Sequence, residues 1–392
     1  MIRLLRILAF ACALLPLAGQ AEAPAFTDAE VRKILSFGPW PARGPGDPSN
    51  RVSGKPDAAD FGQRLFFDPR LSGSGQIACV RCHLPEHNWT DQLRRGSGMA
   101  EVDRNTPTLM NLRAQRWFGW DGAADSLWSQ SLRPILDRRE LAATPRHVAQ
   151  LVRGDEDYAC RYTKTFGKPP SPTDDESVFV DVGKSLAAFV ETLTSGHTPF
   201  DRFRDALARG EALPLGTYSE SAMRGLRIFI GKGACESCHS GPNFTNGGFF
   251  STGLSKSTVH GRPDPGRHAV IQRMLDSRYN LLGAYNDDRT GASAAHTRQA
   301  ALEKTTSGDF KVPSLRNLVL TGPYGRDGSA DTLADVVRHY SGIDPVRLHA
   351  RDGRPAQPLN LTQREQTDLV VFLESLSTFS NGWRPDAHGR CH

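Results

Sequence analysis

Cys79-Val80-Arg81-Cys82-His83 recurs as Cys235-Glu236-Ser237-Cys238-His239, and the reading of these two stretches decides the fold. C-x-x-C-H is the attachment motif of c-type haem. Two thiols three residues apart each form a thioether with one of the two haem vinyl groups. The histidine directly after the second thiol then binds iron as the proximal ligand. The competing reading is one zinc site built from two C-x-x-C pairs. Such pairs usually lie about 15–20 residues apart and need no histidine after each. Here a whole domain's length separates them, so the motifs read as two covalently bound haem c groups.

Residues 1–23 read as a cleavable secretory signal: Arg3 and Arg6, the apolar run Ile7 to Leu17, then Ala21-Glu22-Ala23. The run is too short to span a bilayer, and the small residues suit cleavage after Ala23. Ala9-Phe10-Ala11 ahead of Cys12 makes a poor lipobox. No later segment approaches about 18 consecutive apolar residues, so the mature chain reads as soluble and periplasmic. Export also fits the haem motifs, whose thioethers are formed outside the cytoplasm. The formal charge of the 392 residues is +5. Four haem propionates would offset most of it, and no Lys/Arg stripe of the kind nucleic acid requires is present. Of seven cysteines, Cys12 leaves with the signal and four hold haem, which leaves Cys160 and Cys391. An oxidising compartment favours a disulfide between them, with two free thiols as the alternative.

The pattern around the motifs is helical. Thr27 to Leu35 predicts a short helix capped by Thr27 or Asp28, and residues 39–57 an extended Pro/Gly-rich lead-in to the apolar cluster Phe61 to Phe67. Thr144-Pro145 opens a helix ending at Gly154. A Pro-rich linker, Lys168 to Asp175, precedes a long helix carrying Val178, Val182, Leu186, Phe189, Val190 and Leu193 at helical spacing. Ser219 starts the helix that leads into the second haem motif. Residues 240–310 show little periodicity and read as a long functional loop. Thr332 with Asp335, and Thr362 with Glu365, are spaced as capping boxes for the two closing helices. Strand signals are scarce, and no repeat is read beyond the haem motifs themselves. The fold class is therefore mostly α: two cytochrome c-like haem domains with long loops and few strands. The division is a signal at 1–23, an N-terminal haem domain at 24–197 and a C-terminal haem domain at 198–392.

Three further stretches carry a resemblance. Arg104-Asn105-Thr106-Pro107-Thr108-Leu109, Trp120-Asp121-Gly122 and Phe310-Lys311-Val312-Pro313-Ser314-Leu315-Arg316-Asn317 are similar to signatures of the bacterial di-haem cytochrome c peroxidases, a family that includes the MauG-type enzymes. The similarity runs from Phe61 to about Leu376. It implies a peroxidatic N-terminal haem on His83 and an electron-transfer C-terminal haem on His239. Matching the family spacing from Trp120-Asp121-Gly122 makes Glu140 the group that moves the peroxide proton, with Gln130 and Pro134 lining the pocket. Read without the family, Glu140 is a solvated charge in Asp137-Arg138-Arg139-Glu140. Trp120 corresponds to the tryptophan that relays electrons between the haems, while Trp117 and Trp128 read as core. His87 reads as a surface or propionate-binding group. Asn105 matches a ligand of a calcium ion whose other ligands are largely backbone carbonyls. The resemblance also places the C-terminal tail against the first domain, which would bring Cys391 to Cys160.

The second axial ligand of the C-terminal haem separates the branches: methionine in peroxidases of the cytochrome-oxidising kind, tyrosine in the MauG type. The family count from Phe310 falls on Tyr340, with His339 as the rival one residue away. A helical step of about 100° keeps both from facing one iron. Two departures stand out. Between Asn88 and Asn105 no histidine is present to block the first iron, and only Met99 could substitute, so that haem is expected to be open. Gly233 stands where protein-oxidising members can carry a tryptophan. The reading is a periplasmic di-haem peroxidase that reduces hydrogen peroxide with electrons from a small cytochrome c or copper-protein donor. The alternatives are MauG-type oxidation of tryptophan or tyrosine in a partner protein, and a non-enzymatic di-haem electron carrier.

Overall fold

The helices begin where side chains can satisfy their free N–H groups. Thr27 caps α1 (Asp28–Leu35), Thr144 caps α4 (Pro145–Gly154) and Ser219 caps α8 (Glu220–Ile230). Thr332 and Thr362 form full capping boxes on α11 (Leu333–Ser341) and α12 (Gln363–Glu374), with Asp335 and Glu365. The Pro-rich linker ends at Asp174, which caps the long helix α6 (Asp175–Val190). The structure is a computed structural model that describes residues 26–42, 46–211, 218–255, 258–259, 262–300, 307–343, 358–378 and 389–391. The secretory signal read in residues 1–23, Cys12 included, lies outside the described residues.

Several helices carry no strong sequence signal. The apolar cluster at Phe61 to Phe67 is the end of a helix, α2 (Pro56–Phe67). Three more are α3 (Leu127–Leu136), which contains Pro134, α5 (Glu156–Phe166) and α7 (Pro199–Ala208). The stretch 240–310 is not one loop either, since it holds α9 (Arg267–Leu275) and α10 (Ala295–Ala300). Strands are confined to two-residue pairs among the described residues: Phe249–Phe250 with Phe310–Lys311, and Thr258–Val259 with Arg262–Pro263.

Two cores form, each around a long helix. In the first, α2, α3 and α4 pack on α6, burying Phe61, Leu65, Trp128, Leu132, Phe179 and Phe189. In the second, α8 and α11 pack on α12, burying Phe200, Leu226, Phe229, Phe244 and Phe372. Both crossings depend on a glycine. A Cβ at Gly62 would stand 1.9 Å from the Ser185 carbonyl oxygen, and one at Gly225 would stand 2.0 Å from that of Asp368. The chain ends cross over: Ile34 and Phe37 belong to the second core, whereas the tail joins the first half through a Cys160–Cys391 disulfide.

The two halves repeat each other far beyond the haem motifs, where the sequence reading finds no further repeat. Pro107, Leu109, Asn111 and Leu112 match Pro313, Leu315, Asn317 and Leu318 at one constant separation. The same separation matches Phe118-Gly119-Trp120-Asp121-Gly122-Ala123-Ala124-Asp125-Ser126-Leu127 with Tyr324-Gly325-Arg326-Asp327-Gly328-Ser329-Ala330-Asp331-Thr332-Leu333. The backbone follows suit. Asn111 (φ 62°) and Asn317 (φ 61°) are both left-handed and open 3-10 turns, and antiparallel bridges join Phe118 to Ala124 and Tyr324 to Ala330. Ser126 caps α3 as Thr332 caps α11. The long excursion after the second haem motif hides the register, because the first half has no counterpart to it. That excursion straps the first half: Asp125 Oδ2 accepts from Leu281 N and Thr297 Oγ1, both at 2.8 Å. Lys184, 1% exposed on α6, donates to the Tyr285 carbonyl and to Asp287.

Candidate functional site

Each C-x-x-C-H stretch is wound into a 3-10 turn, in which the two thiols, three residues apart, share one side. Cys82 N and His83 N donate to the Cys79 carbonyl at 3.2 and 3.1 Å, and Cys238 N and His239 N donate to that of Cys235 at 3.3 and 2.9 Å. All four cysteines are free thiols. His83 Nδ1 donates to the Trp89 carbonyl at 2.9 Å, and His239 Nδ1 to the Phe244 carbonyl at 3.1 Å. A carbonyl only accepts, so the proton sits on Nδ1 and the lone pair on Nε2 is left for a metal. Burial lowers both imidazoles, His239 to about 4 against the pull of the Phe244 and Pro313 carbonyls, so both are neutral in ordinary conditions. Free thiols, a neutral imidazole and a fixed tautomer fit covalent haem at both places.

On the far side of the first motif lie α3 and the turn that follows it. Gln130 and Pro134 sit on α3, and the Gln130 side chain accepts from Arg133 at 3.2 Å. Gly98 lies directly against the Glu140 backbone, and Met99 N donates to the Glu140 carbonyl at 3.0 Å. Burial raises the Cys79 and Cys82 thiols, and the Glu140 carboxylate is near enough to both to add to it. Burial, then the neighbouring Asp137, holds Glu140 above its ordinary value despite Arg133 and Arg139. A carboxyl raised above its ordinary value beside a haem attachment point is suited to take and return a proton. Met99 has 46% of its surface exposed. Trp117 and Trp128 are core, at 9% and 0% exposed. His87 Nδ1 is buried with no hydrogen-bond partner among the described residues.

The second motif has α11 opposite it. Burial pushes the Tyr340 phenol up to about 12 while a hydrogen bond from Thr252 pulls it back, and Cys235 and Cys238 lie within electrostatic reach of it. His339 is turned elsewhere, its Nε2 donating to the Thr252 carbonyl at 3.0 Å. Thr252 thus holds both neighbours apart. Nothing in the sequence singles it out, because it lies in an aperiodic stretch.

Between the halves, hydrogen bonds obey the repeat. Asn105 N donates to the Arg326 carbonyl and Lys311 N donates to the Trp120 carbonyl, both at 2.8 Å. Asn105 matches Lys311 and Trp120 matches Arg326, so these are one contact seen from each half. Trp120 Nε1 also donates to the Asn105 carbonyl at 2.8 Å. Beside them the Phe310 ring lies under the guanidinium groups of both Arg104 and Arg326, which share the buried carboxylate of Asp264. Arg326 was legible only once the repeat was aligned. Asn105 Nδ2 donates to the Leu93 carbonyl at 2.7 Å, so its amide oxygen faces away from that contact. Among the described residues no group of three or more His, Cys, Asp or Glu could hold a metal ion, so a cation at Asn105 would rely on backbone oxygens. No described helix is long and apolar enough to cross a membrane.

Comparison with known proteins agrees with this arrangement. The family model for di-haem cytochrome c peroxidase matches residues 56–209. The methylamine utilization protein MauG of Methylorubrum extorquens is 34% identical over 329 residues, 82% of this chain and 78% of its own. The cytochrome c551 peroxidase of Nitrosomonas europaea is 29% identical, over 84% of this chain and 81% of its own. A crystal structure of a MauG-like protein associated with microbial copper homeostasis superposes with a TM-score of 0.63, at 24% identity, over 88% of this chain and all of that one. With two haem motifs and a relative of this identity across most of its length, the chain belongs to the di-haem cytochrome c peroxidase and MauG family and is a di-haem c oxidoreductase.

Proposed function

We propose that this protein is an exported peroxidase that reduces hydrogen peroxide on the His83 side and draws electrons from an external donor on the His239 side. The observation that carries the reading is an asymmetry in the repeat. Where α3 has Pro134, α11 has Tyr340, counting from the capping residues Ser126 and Thr332. Proline offers iron no ligand; a phenol does. No histidine lies between Asn88 and Asn105 to block the first iron, which supports a first site open to peroxide.

Haem iron, when bound, supplies the redox chemistry that cleaves the peroxide bond. The chain's own groups do the rest. The Glu140 carboxyl takes the proton from one peroxide oxygen and returns it to the other, so that water leaves. Gln130 and Pro134 narrow the pocket around that transfer. Trp120, tied to Asn105 and Lys311, holds an indole at the seam, where an electron passes between halves. The reading keeps the donor as a small cytochrome c or copper protein, the compartment as the periplasm, and the calcium site as one built from Asn105 and backbone oxygens.

Tyr340 favours a second reading, oxidation of tryptophan or tyrosine in a partner protein, since that branch carries tyrosine at this place. Gly233 disfavours it, because glycine cannot relay a hole toward a partner. A purely electron-carrying role is opposed by Pro134. The test is the ferric protein's spin state with and without peroxide, followed by peroxide consumption with a reduced small cytochrome or cupredoxin. A high-spin signal that responds to peroxide, with donor oxidation at two electrons per peroxide, supports the peroxidase. Two low-spin signals indifferent to peroxide would leave only the carrier.

A further inference from the structure

The two carbonyls that accept from the haem histidines have a second feature in common. Each belongs to a bulky residue with left-handed backbone, Trp89 at φ 62° and Phe244 at φ 49°. Bulky residues hold that conformation only where their surroundings impose it. Each also follows an asparagine, and that asparagine reaches into the other half. Asn88 Nδ2 donates to the Asn317 carbonyl at 3.3 Å, and Asn243 Nδ2 donates to the Asn111 carbonyl at 3.4 Å.

The acceptors are firmly mounted. Asn111 N donates to the Leu193 carbonyl at 2.8 Å, and its Oδ1 accepts from Ser195 N at 2.9 Å. Asn317 repeats this with the Leu376 carbonyl and with Thr378 N, both at 3.0 Å. Leu193 and Leu376 end the segments that follow α6 and α12, so each tether runs to the long helix of the opposite half. All four asparagines are buried, with exposures from 0 to 8%, so water does not compete for these bonds. Both tethers exceed the usual 2.7–3.2 Å of an amide hydrogen bond. A small movement along the seam therefore changes them appreciably. They also differ: Asn243 Oδ1 accepts from Ser314 Oγ at 3.0 Å, whereas Asn88 Oδ1 is buried with no hydrogen-bond partner among the described residues.

We propose that Asn88 and Asn243 are crossed positioning residues: each, anchored on the opposite half, holds the carbonyl that accepts Nδ1–H of the histidine in its own half. A stronger bond to Nδ1–H makes Nε2 a better electron donor to the metal and lowers its potential. The seam would thus tune each iron through the other half, by a route separate from Trp120. The inference rests on His83 and His239 as iron ligands.

The test uses the full exported protein with both haems attached, a state checked first by mass and by the pyridine haemochrome spectrum. Failure of the unmodified protein to carry two haems would sink the underlying reading, not this proposal. Asn88→Ala and Asn88→Gly, the latter suited to the left-handed backbone there (φ 51°), should lower the iron–histidine stretching frequency of the first haem and raise its midpoint potential alone. Asn243→Ala and Asn243→Leu should raise the potential of the second haem alone. Unchanged potentials in folded variants overturn the proposal. So do equal shifts of both haems in either variant, since those report general loosening. If an alanine variant does not fold, Asn88→Gly or Asn243→Leu decides the matter.

Discussion

Pro134 and Tyr340 occupy one position of the repeat, on α3 and α11, and differ in the one property that matters to a metal. The phenol lies near Cys235 and Cys238, and proline has no donor atom to offer. On the proposed function, a single residue type separates an open side from a ligated one. The neighbouring pair, Arg133 and His339, does not contend for the role, because His339 donates to Thr252.

Replacing Tyr340 with Phe should open the second haem and raise its potential, since an anionic oxygen favours ferric iron. His339→Ala should remove only the bond to the Thr252 carbonyl. Electron paramagnetic resonance of the ferric protein reads the ligand directly. A low-spin signal that survives Tyr340→Phe but disappears in His339→Ala would put the register one residue out.

Glu140→Gln should keep both haem spectra and slow the reaction with peroxide by about 10²–10⁴-fold. Burial raises Glu140 above its ordinary 4.5, so the ascending limb of the pH–rate profile should lie above that value and vanish in the variant. The sign for stability is opposite to that of a salt-bridged carboxylate. The folded protein holds this proton more tightly than the unfolded chain, so stability falls as pH rises through the raised value. Glu140→Gln should thus melt no lower than the parent at pH 7. Stopped-flow rates across pH and a thermal melt check both statements.

Trp120→Phe removes the bond to the Asn105 carbonyl and the indole together. Peroxide should still react at the first haem, while donor oxidation on the other side slows. Equal rates of donor oxidation in parent and variant would remove Trp120 from the electron route.

The Cys160–Cys391 bond closes a sequence separation of 231 residues. In the chain-entropy model such a closure stabilises by roughly 5.5 kcal/mol. Cys391→Ser should lower the unfolding free energy by an amount up to that size, leaving both haem spectra unchanged. Urea titration of the two proteins measures it.

Gly62→Ala and Gly225→Ala should each cost at least 1–3 kcal/mol, roughly the range for overpacking, because backbone stands where the Cβ would go. Gly154→Ala, with nothing within 4 Å, should be neutral or stabilising by about 0.4–1 kcal/mol. Calorimetric melting temperatures separate the two classes.

What the sequence determined by itself is local. Covalent attachment needs two thiols and a histidine within one turn, so Cys79, Cys82, His83 and their recurrence declare themselves wherever they fold. Capping is equally local, which is why Thr27, Thr144, Ser219, Thr332 and Thr362 start helices as read. Tertiary structure decided everything that joins distant residues. Thr252 and Asp264 lie in an aperiodic stretch and acquire roles only when the chain returns to α11 and to Arg104 and Arg326. The pairing of Cys160 with Cys391 depends on a tail crossing to the other half. The longer repeat was written in the sequence but spread over turn and cap residues, which tolerate many substitutes. It shows itself once Asn111 and Asn317 share a left-handed backbone and each half hangs a haem-side loop on the other. Hydrogen bonds act over about 3 Å regardless of separation along the chain, and only folding brings those atoms that close.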